Sequence, residues 1–238
     1  MKILALESSA TTASVAVVTE ELVMAEYTID HKKTHSQTLL AMVDEMLKMA
    51  DIQLEELDAI AVSGGPGSFT GLRIGSATAK GLGLALNIPL IHVPTIDAMA
   101  YNFYGTDRLI CPMMDARRTQ VYTGIYKNND TFEIIKKQDI VLIKDITEEL
   151  NNIGKPVLLL GDGAQVNKAY LEENLTVPYL FAPLNLNRSK AASVGALGVK
   201  MYAEGKTESA AEHVPEYMRA TQAERELEAK REKADAGK

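Results

Sequence analysis

The stretch Ser63-Gly64-Gly65-Pro66-Gly67-Ser68-Phe69-Thr70-Gly71-Leu72-Arg73-Ile74-Gly75 holds the densest candidate chemistry in the chain. A glycine turn between a strand and a helix presents backbone N–H groups at a helix N-terminus, which suits an anion. No Gly-Lys-Ser/Thr closes it, so it is not a P-loop, and Gly65-x-Gly67-x-x-x-Gly71 is one residue too long for a dinucleotide fingerprint. Gly65, Gly67 and Ser68 are candidate phosphate contacts; the alternative is a plain strand-to-helix turn. Glu7 and Asp115 each end an apolar run, Glu7 being followed by Ser8, and both would face a common cleft. In an ATP-using enzyme such an acid holds Mg²⁺ or acts as a base. Otherwise it accepts backbone N–H bonds in its own turn. Gly161-Asp162-Gly163 either lets Gly161 and Gly163 approach a nucleoside or phosphate, or merely turns the chain.

Gly71, Gly75, Ala79 and Gly83 recur every four residues and form one small-residue stripe on a helix. Gly75, Gly81 and Gly83 inside a helix each cost about 1 kcal/mol relative to alanine, so something must offset ~2–3 kcal/mol. Close approach of another backbone along the stripe would do so, from the same chain or from a second subunit. Met42, Met46 and Met49 give the neighbouring helix a methionine-rich face fit for helix-on-helix contact. His31 and His35 have a metal-compatible spacing, but Lys32 and Lys33 lie between them and no third ligand is evident, so a solvated loop with a capping histidine is preferred. No Ser-His-Asp order, Cys-His pair or HExxH motif is present, which leaves hydrolase chemistry without support.

The elements that must position these residues follow from periodicity. A strand at 2–7 ends on Glu7, strands follow near 13–19 and 22–29, and apolar residues at 3-and-4 spacing predict a helix over 35–50. Strand 58–63 leads through the glycine turn into helix 69–86, and strand 88–93 closes the half. The second half repeats the order: strand 109–114 to Asp115, strands 119–127 and 131–142, helix 145–151, strand 156–160, a glycine turn and helix 165–174. The doubling rests on element order, not on residue identity. It divides the chain into lobes at 1–104 and 105–221, joined near 94–106, with a tail at 222–238 made of Ala, Glu, Lys and Arg and expected to be solvent-exposed. A last helix, 189–204, carries a small-residue face of Ala191, Ala192, Gly195 and Gly198 and could pack back on the first lobe.

The 238 residues, 46% hydrophobic and 24% charged, describe ordinary globular material with a core that needs no staples. The single cysteine, Cys111, cannot form an internal disulfide, and no run approaches a membrane span, so a cytoplasmic protein is expected. A net charge of −7 disfavours a free-standing nucleic-acid binder.

Ile3-Leu4-Ala5-Leu6-Glu7-Ser8-Ser9, Gly65 to Gly75, Met114-Asp115-Ala116-Arg117-Arg118 with Val121-Tyr122, and Pro215-Glu216-Tyr217-Met218-Arg219 together resemble the bacterial TsaB (YeaZ) family over residues 1 to about 220. The resemblance implies an α/β, two-lobed acetate kinase–actin–Hsp70 (ribonuclease H-like) fold. It also implies a role in making threonylcarbamoyladenosine beside the tRNA anticodon, as the non-catalytic partner of a catalytic, metal-bearing sister subunit, TsaD. An ATPase, TsaE, joins the pair; the TsaB-type subunit self-associates when alone and meets tRNA only through the complex. No cofactor is required by this subunit, with ADP or ATP possible at the subunit junction. The family usually has Asp where this chain has Glu7, and one extra methylene displaces a magnesium-binding carboxylate by about an ångström. Pairing through the first two helices makes His35, Thr38, Leu39, Met42, Met46, Leu72, Gly75, Ser76, Ala79 and Gly83 the interface candidates, with Gly75→Leu expected to abolish pairing and spare the fold. Two other readings stand beside this one: a small kinase or ATPase using Glu7 and Asp115, and a peptidase, for which no nucleophile–base pair is visible.

Overall fold

A computed structural model describes residues 1–30 and 35–219, the side chains of 35–37 excepted. His31, the side chain of His35 and the tail from 222 lie outside the described residues. The first sheet contains β1 (Ile3–Glu7), β2 (Thr12–Val18), β3 (Val23–Asp30), β4 (Ala59–Gly65) and β5 (Leu90–Pro94). Its order is β3-β2-β1-β4-β5, antiparallel among β1–β3 and parallel from β1 to β5. The second contains β6 (Thr106–Asp115), β7 (Gln120–Asn128), β8 (Phe132–Leu142), β9 (Val157–Leu160) and β10 (Tyr179–Phe181), and its order β10-β9-β6-β7-β8 is the same topology read from the other edge. β1 and β6 therefore occupy equivalent places, as do β4 and β9.

Helices α1 (His35–Ala50) and α2 (Phe69–Leu86) cover one face of the first sheet. The period-2 alternation of the strands sorts the side chains: Leu4, Leu6, Ile60 and Val62 meet α1 and α2, while Ile3, Ala5, Ala59 and Ala61 meet α7 (Ala191–Ala203) on the other face. The second set is small, and α7 answers with glycines. A Cβ on Gly195 would lie 2.7 Å from Val18, and one on Gly198 2.8 Å from Ala61. Late in the sequence, α7 thus belongs spatially to the first sheet. The 94–106 junction, which the periodicity leaves without an element, holds α3 (Thr95–Tyr101). Its Ala98 packs on the first-sheet cluster and its Ile96, Met99 and Ala100 on the second, so one short helix glues the lobes.

In the second lobe, α4 (Ile143–Ile153), α5 (Asp162–Val166) and α6 (Lys168–Asn174) cover the outer face. The single helix expected over 165–174 is broken at Asn167, which leaves helical geometry and turns its side-chain amide onto the Gly163 carbonyl at 2.8 Å. Helix α2, by contrast, has the expected bounds, because Ser68 caps its start and Asn87, left-handed at φ 55°, ends it. Cys111 is buried and unpaired, and burial pushes its thiol up to about 12. Among the described residues no helix is long and apolar enough to cross a membrane.

Candidate functional site

The two strand-ending acids sit at matched positions and make the same local bond. Glu7 Oε1 accepts from the Ser9 amide at 2.6 Å, and Asp115 Oδ1 from the Arg117 amide at 2.8 Å. There the likeness stops. Asp115 is exposed, whereas Glu7 is fully buried and has donors on both oxygens. The Ser9 hydroxyl also reaches Oε1 at 2.6 Å, and the hydroxyls of Ser63 on β4 and Ser189 at the entry to α7 both donate to Oε2. The carboxylate ties three segments together, and a magnesium ion could reach it only by displacing those hydroxyls.

The glycine turn is filled in a similar way. A Cβ on Gly67 would fall on the Ser9 carbonyl, one on Gly71 on the Ser8 carbonyl, and one on Gly75 lies 2.5 Å from Ser8 Oγ. The Ser8 hydroxyl donates to the Gly71 carbonyl at 2.9 Å and the Ser68 amide to the Ser9 carbonyl at 2.6 Å. The close backbone approach that these glycines allow is made by the chain's own Ser8–Ser9 turn. In the second lobe Gly161 (φ 96°) lies against the Met113 carbonyl, and a Cβ on Gly163 would lie 2.8 Å from the Met114 carbonyl carbon. Asp162 Oδ1 accepts from the Asp115 amide at 3.1 Å, so that turn also closes on its own strand.

A segment known from sequence only by its closing 215–219 motif completes the site. Residues 205–219 run back along the edge of β5, where Glu208 and Leu90 exchange amide bonds at 2.9 Å, and then cross the mouth of the cleft. The Glu216 amide donates to the Gly64 carbonyl at 2.7 Å, and the Glu216 carbonyl takes the space a Cβ on Gly65 would need. Tyr217 lies on Phe69 with ring centroids 4.6 Å apart, and the Arg73 guanidinium sits 4.0 Å over the same Phe69 ring. From the second lobe, Gln138 donates to both Gly65 O and Glu216 Oε2 at 3.2 Å, and Arg219 donates to the Ala116 carbonyl. Beneath this strap the Tyr126 hydroxyl donates to Asp97 at 2.7 Å, and burial holds the Asp97 carboxyl above its usual range. Gln138 and Ser189 were missed from sequence, and 215–219 was noted only as part of the family resemblance with no place in the site, since nothing periodic marks a residue that acts across a hundred positions.

Most of the residues named for a partner interface face inward. Leu39, Met42, Met46, Leu72, Ser76 and Ala79 are buried in this chain, Gly75 abuts Ser8, and Gly83 abuts Leu90 with Cβ space cut to 2.9 Å. Their 3-and-4 spacing is the signature of the stripe the sheet itself consumes. Thr38 is half-buried. Gly75→Leu therefore threatens the fold, because the side chain would be driven into Ser8. The outer surface of the helix pair carries a different set: Leu40 and Met49 on α1, and Ala77, Gly81 and Leu84 on α2, all exposed. Gly81 has open space where its Cβ would be, so nothing in this chain requires a glycine there.

Two equivalent five-stranded sheets, each with its β1-type strand ending on an acid at the cleft, define a two-lobed protein of the acetate kinase–actin–Hsp70 class. The chain matches a family model described as "TsaD: tRNA N6-adenosine threonylcarbamoyltransferase" over residues 23–227. It is 35% identical to the tRNA threonylcarbamoyladenosine biosynthesis protein TsaB of Bacillus subtilis, covering 94% of this chain and 96% of that one. It is 29% identical to the TsaB of Escherichia coli over 92% and 95% of the two chains. Its backbone superposes on YeaZ from Pseudomonas aeruginosa with a TM-score of 0.74 at 26% identity, covering 91% of this chain and 99% of that chain. A second solved chain, an uncharacterized protein with similarity to peptidase YEAZ from Pseudomonas aeruginosa, gives 0.78 at 25% identity over 92% of this chain and 99% of that one. The chain belongs to the TsaB (YeaZ) family.

Proposed function

We propose that this chain is the non-catalytic subunit of a cytoplasmic tRNA threonylcarbamoyladenosine-modifying assembly, binding and supporting a TsaD-type catalytic subunit. The observation that carries the reading is the filled cleft: Glu7 has donors on both oxygens, and the glycine turns are packed against Ser8, Ser9 and Glu216. The chain itself needs no cofactor in this reading, and ADP or ATP belongs at the junction between subunits. The net charge of −7 favours leaving tRNA contact to the other members, a TsaE-type ATPase among them.

The partner face is the outer surface of α1 and α2, which also pairs two copies when the chain is alone. Leu40, Met49 and Leu84 are 56%, 73% and 64% exposed on the helix pair, and Leu40 also lines a groove of about 930 Å³ with Val43, Leu47, Ile52, Leu54 and Leu82. Gly81 costs the lone helix about 1 kcal/mol, which a closely approaching partner helix would offset. Ala77→Glu and Leu84→Glu should each weaken co-elution with the TsaD-type subunit at least about tenfold, ~1.4 kcal/mol, while the melting temperature stays within ~2 °C of the parent. Undiminished co-elution of both variants would overturn this surface. The small-kinase alternative rests on Asp115, whose exposed carboxylate is open to a cation; ATP turnover by the purified chain that Asp115→Asn abolishes would favour it.

A further inference from the structure

The side chains of His92 on β5 and of Glu208 and His213 on the strap take no part in the hydrogen bonds at Glu7 and the glycine turns, and a ligand-capable atom from each falls within 4.8 Å of the others. Their sequence separations leave no motif, and only the docking of the strap against the β5 edge brings them together. The His213 side chain is fully buried, and its Nδ1 lies 2.6 Å from Glu208 Oε1. With the carboxylate as acceptor Nδ1 is the donor of that bond, and Nε2 is the ring nitrogen left to meet a ligand. Nε2 is buried and has no partner, which is costly for a polar atom unless something pairs it. A carboxylate holding one ring nitrogen so that the other is free is the usual support for a metal-bound histidine.

The second imidazole is seated as deliberately. The His92 ring lies against β4 where a Cβ on Gly64 would fall on the ring itself, so Gly64 is the residue that gives it room. The two rings have centroids 5.6 Å apart. Burial, and after it His213, push the His92 imidazole below its ordinary value, against the pull of Glu208 and Glu216. Lys80 is the nearby cation on α2, and its ammonium is committed to the carbonyls of Ala211 and His213 at 3.1 and 2.8 Å.

We propose that His92 and His213, the latter held in place by Glu208, form a binding site for a divalent cation of the zinc class, which clamps the strap onto the edge of β5. Two imidazole ligands suit Zn²⁺ over Mg²⁺ or Ca²⁺, which take oxygen ligands. In a tetrahedral zinc site with bonds of about 2.1 Å the ligand atoms stand ~3.4 Å apart. Glu208 and the buried His213 ring fix one ligand, so the half-exposed His92 side chain is the one that turns to close from the 4.8 Å separation. The remaining positions are left to water.

The test uses the full chain, free of any histidine tag and stripped with chelator, titrated with Zn²⁺ calorimetrically and with Co²⁺ as a spectroscopic stand-in. One ion per chain, tetrahedral cobalt bands and a raised melting temperature are expected. Affinity should fall at least about tenfold in His92→Gln and in Glu208→Gln. His31 and His35 are the chain's other two histidines, so a His31→Gln/His35→Gln variant must keep the binding. Should the His92 variant fail to fold, X-ray absorption on the zinc-loaded parent decides the matter through two imidazoles in the coordination shell. Absence of saturable binding, survival of binding in the His92 and Glu208 variants, loss of it in the His31/His35 variant, or a shell with fewer than two imidazoles would each overturn the site.

Discussion

Replacing Glu7 by alanine separates a structural carboxylate from a catalytic one. The substitution strips the acceptor from four donors: the Ser9 amide and hydroxyl on Oε1, and the Ser63 and Ser189 hydroxyls on Oε2. The hydroxyls can turn, and Ser63 already has the Leu6 carbonyl at 3.4 Å as a second acceptor. The Ser9 amide cannot turn, and an orphaned buried donor costs about 1–3 kcal/mol. Adding the severed link to Ser189 and the void left beneath α7, the sum falls at ~3–5 kcal/mol, the range for breaking a buried charged network. For a chain of this size about 2–4 °C is lost per kcal/mol, so the melting temperature should drop by ~6–20 °C. Glu7→Gln keeps the Ser9 bonds and asks Ser63 and Ser189 only to reverse their hydroxyls, for about 1–2 kcal/mol. Ser189→Ala, combined with Glu7→Gln in a double-mutant cycle, reads the coupling between β1 and α7 directly. Thermal and urea melts followed by circular dichroism provide the assay. A Glu7→Ala protein melting within ~2 °C of the parent would refute the structural account and return Glu7 to the list of groups free to hold a metal.

The glycines of α2 divide by what they touch. Gly71→Ala should destabilise by about 1–3 kcal/mol because its Cβ falls on the Ser8 carbonyl, whereas Gly81→Ala should stabilise the isolated chain by ~1 kcal/mol and weaken subunit pairing; equal effects in denaturant melts would contradict the packing. His92 is held below its ordinary value of 6.5 by burial and by His213, against the opposing pull of Glu208 and Glu216. The fold therefore disfavours its charged form. The stability this lends is present above 6.5 and is lost as the pH falls, when the unfolded chain takes up a proton that the folded chain refuses, with a limiting slope of about 1.4 kcal/mol per pH unit. Asp97, raised by burial, acts in the opposite sense, so the comparison is between parent and His92→Gln melted across the same range in chelator; identical slopes would count against the His92 assignment.

Local order was legible because it is written in short-range physics. Ser68 and Asn87 cap α2 wherever the helix ends up, and the spacing of Leu39, Met42, Val43, Met46 and Leu47 makes an amphipathic helix whatever covers it. The doubled order of strand, acid, turn, helix and glycine turn needed no contact map either, since each unit repeats the same run of periodicities. Which body meets a given stripe is another matter. The inward faces of α1 and α2 read equally well as a subunit interface, and only the sheet beneath them decided that Met46 and Ala79 are core while Gly81 and Leu84 are surface. Glu7 and Asp115 look alike along the chain, yet Ser189, 182 residues away, reaches one of them and seals it. The strap joins Glu216 to Gly64, and His92 to Glu208 and His213, through pairings that leave no period in the sequence. Periodicity reports the face a residue presents, and tertiary packing alone selects what that face will touch.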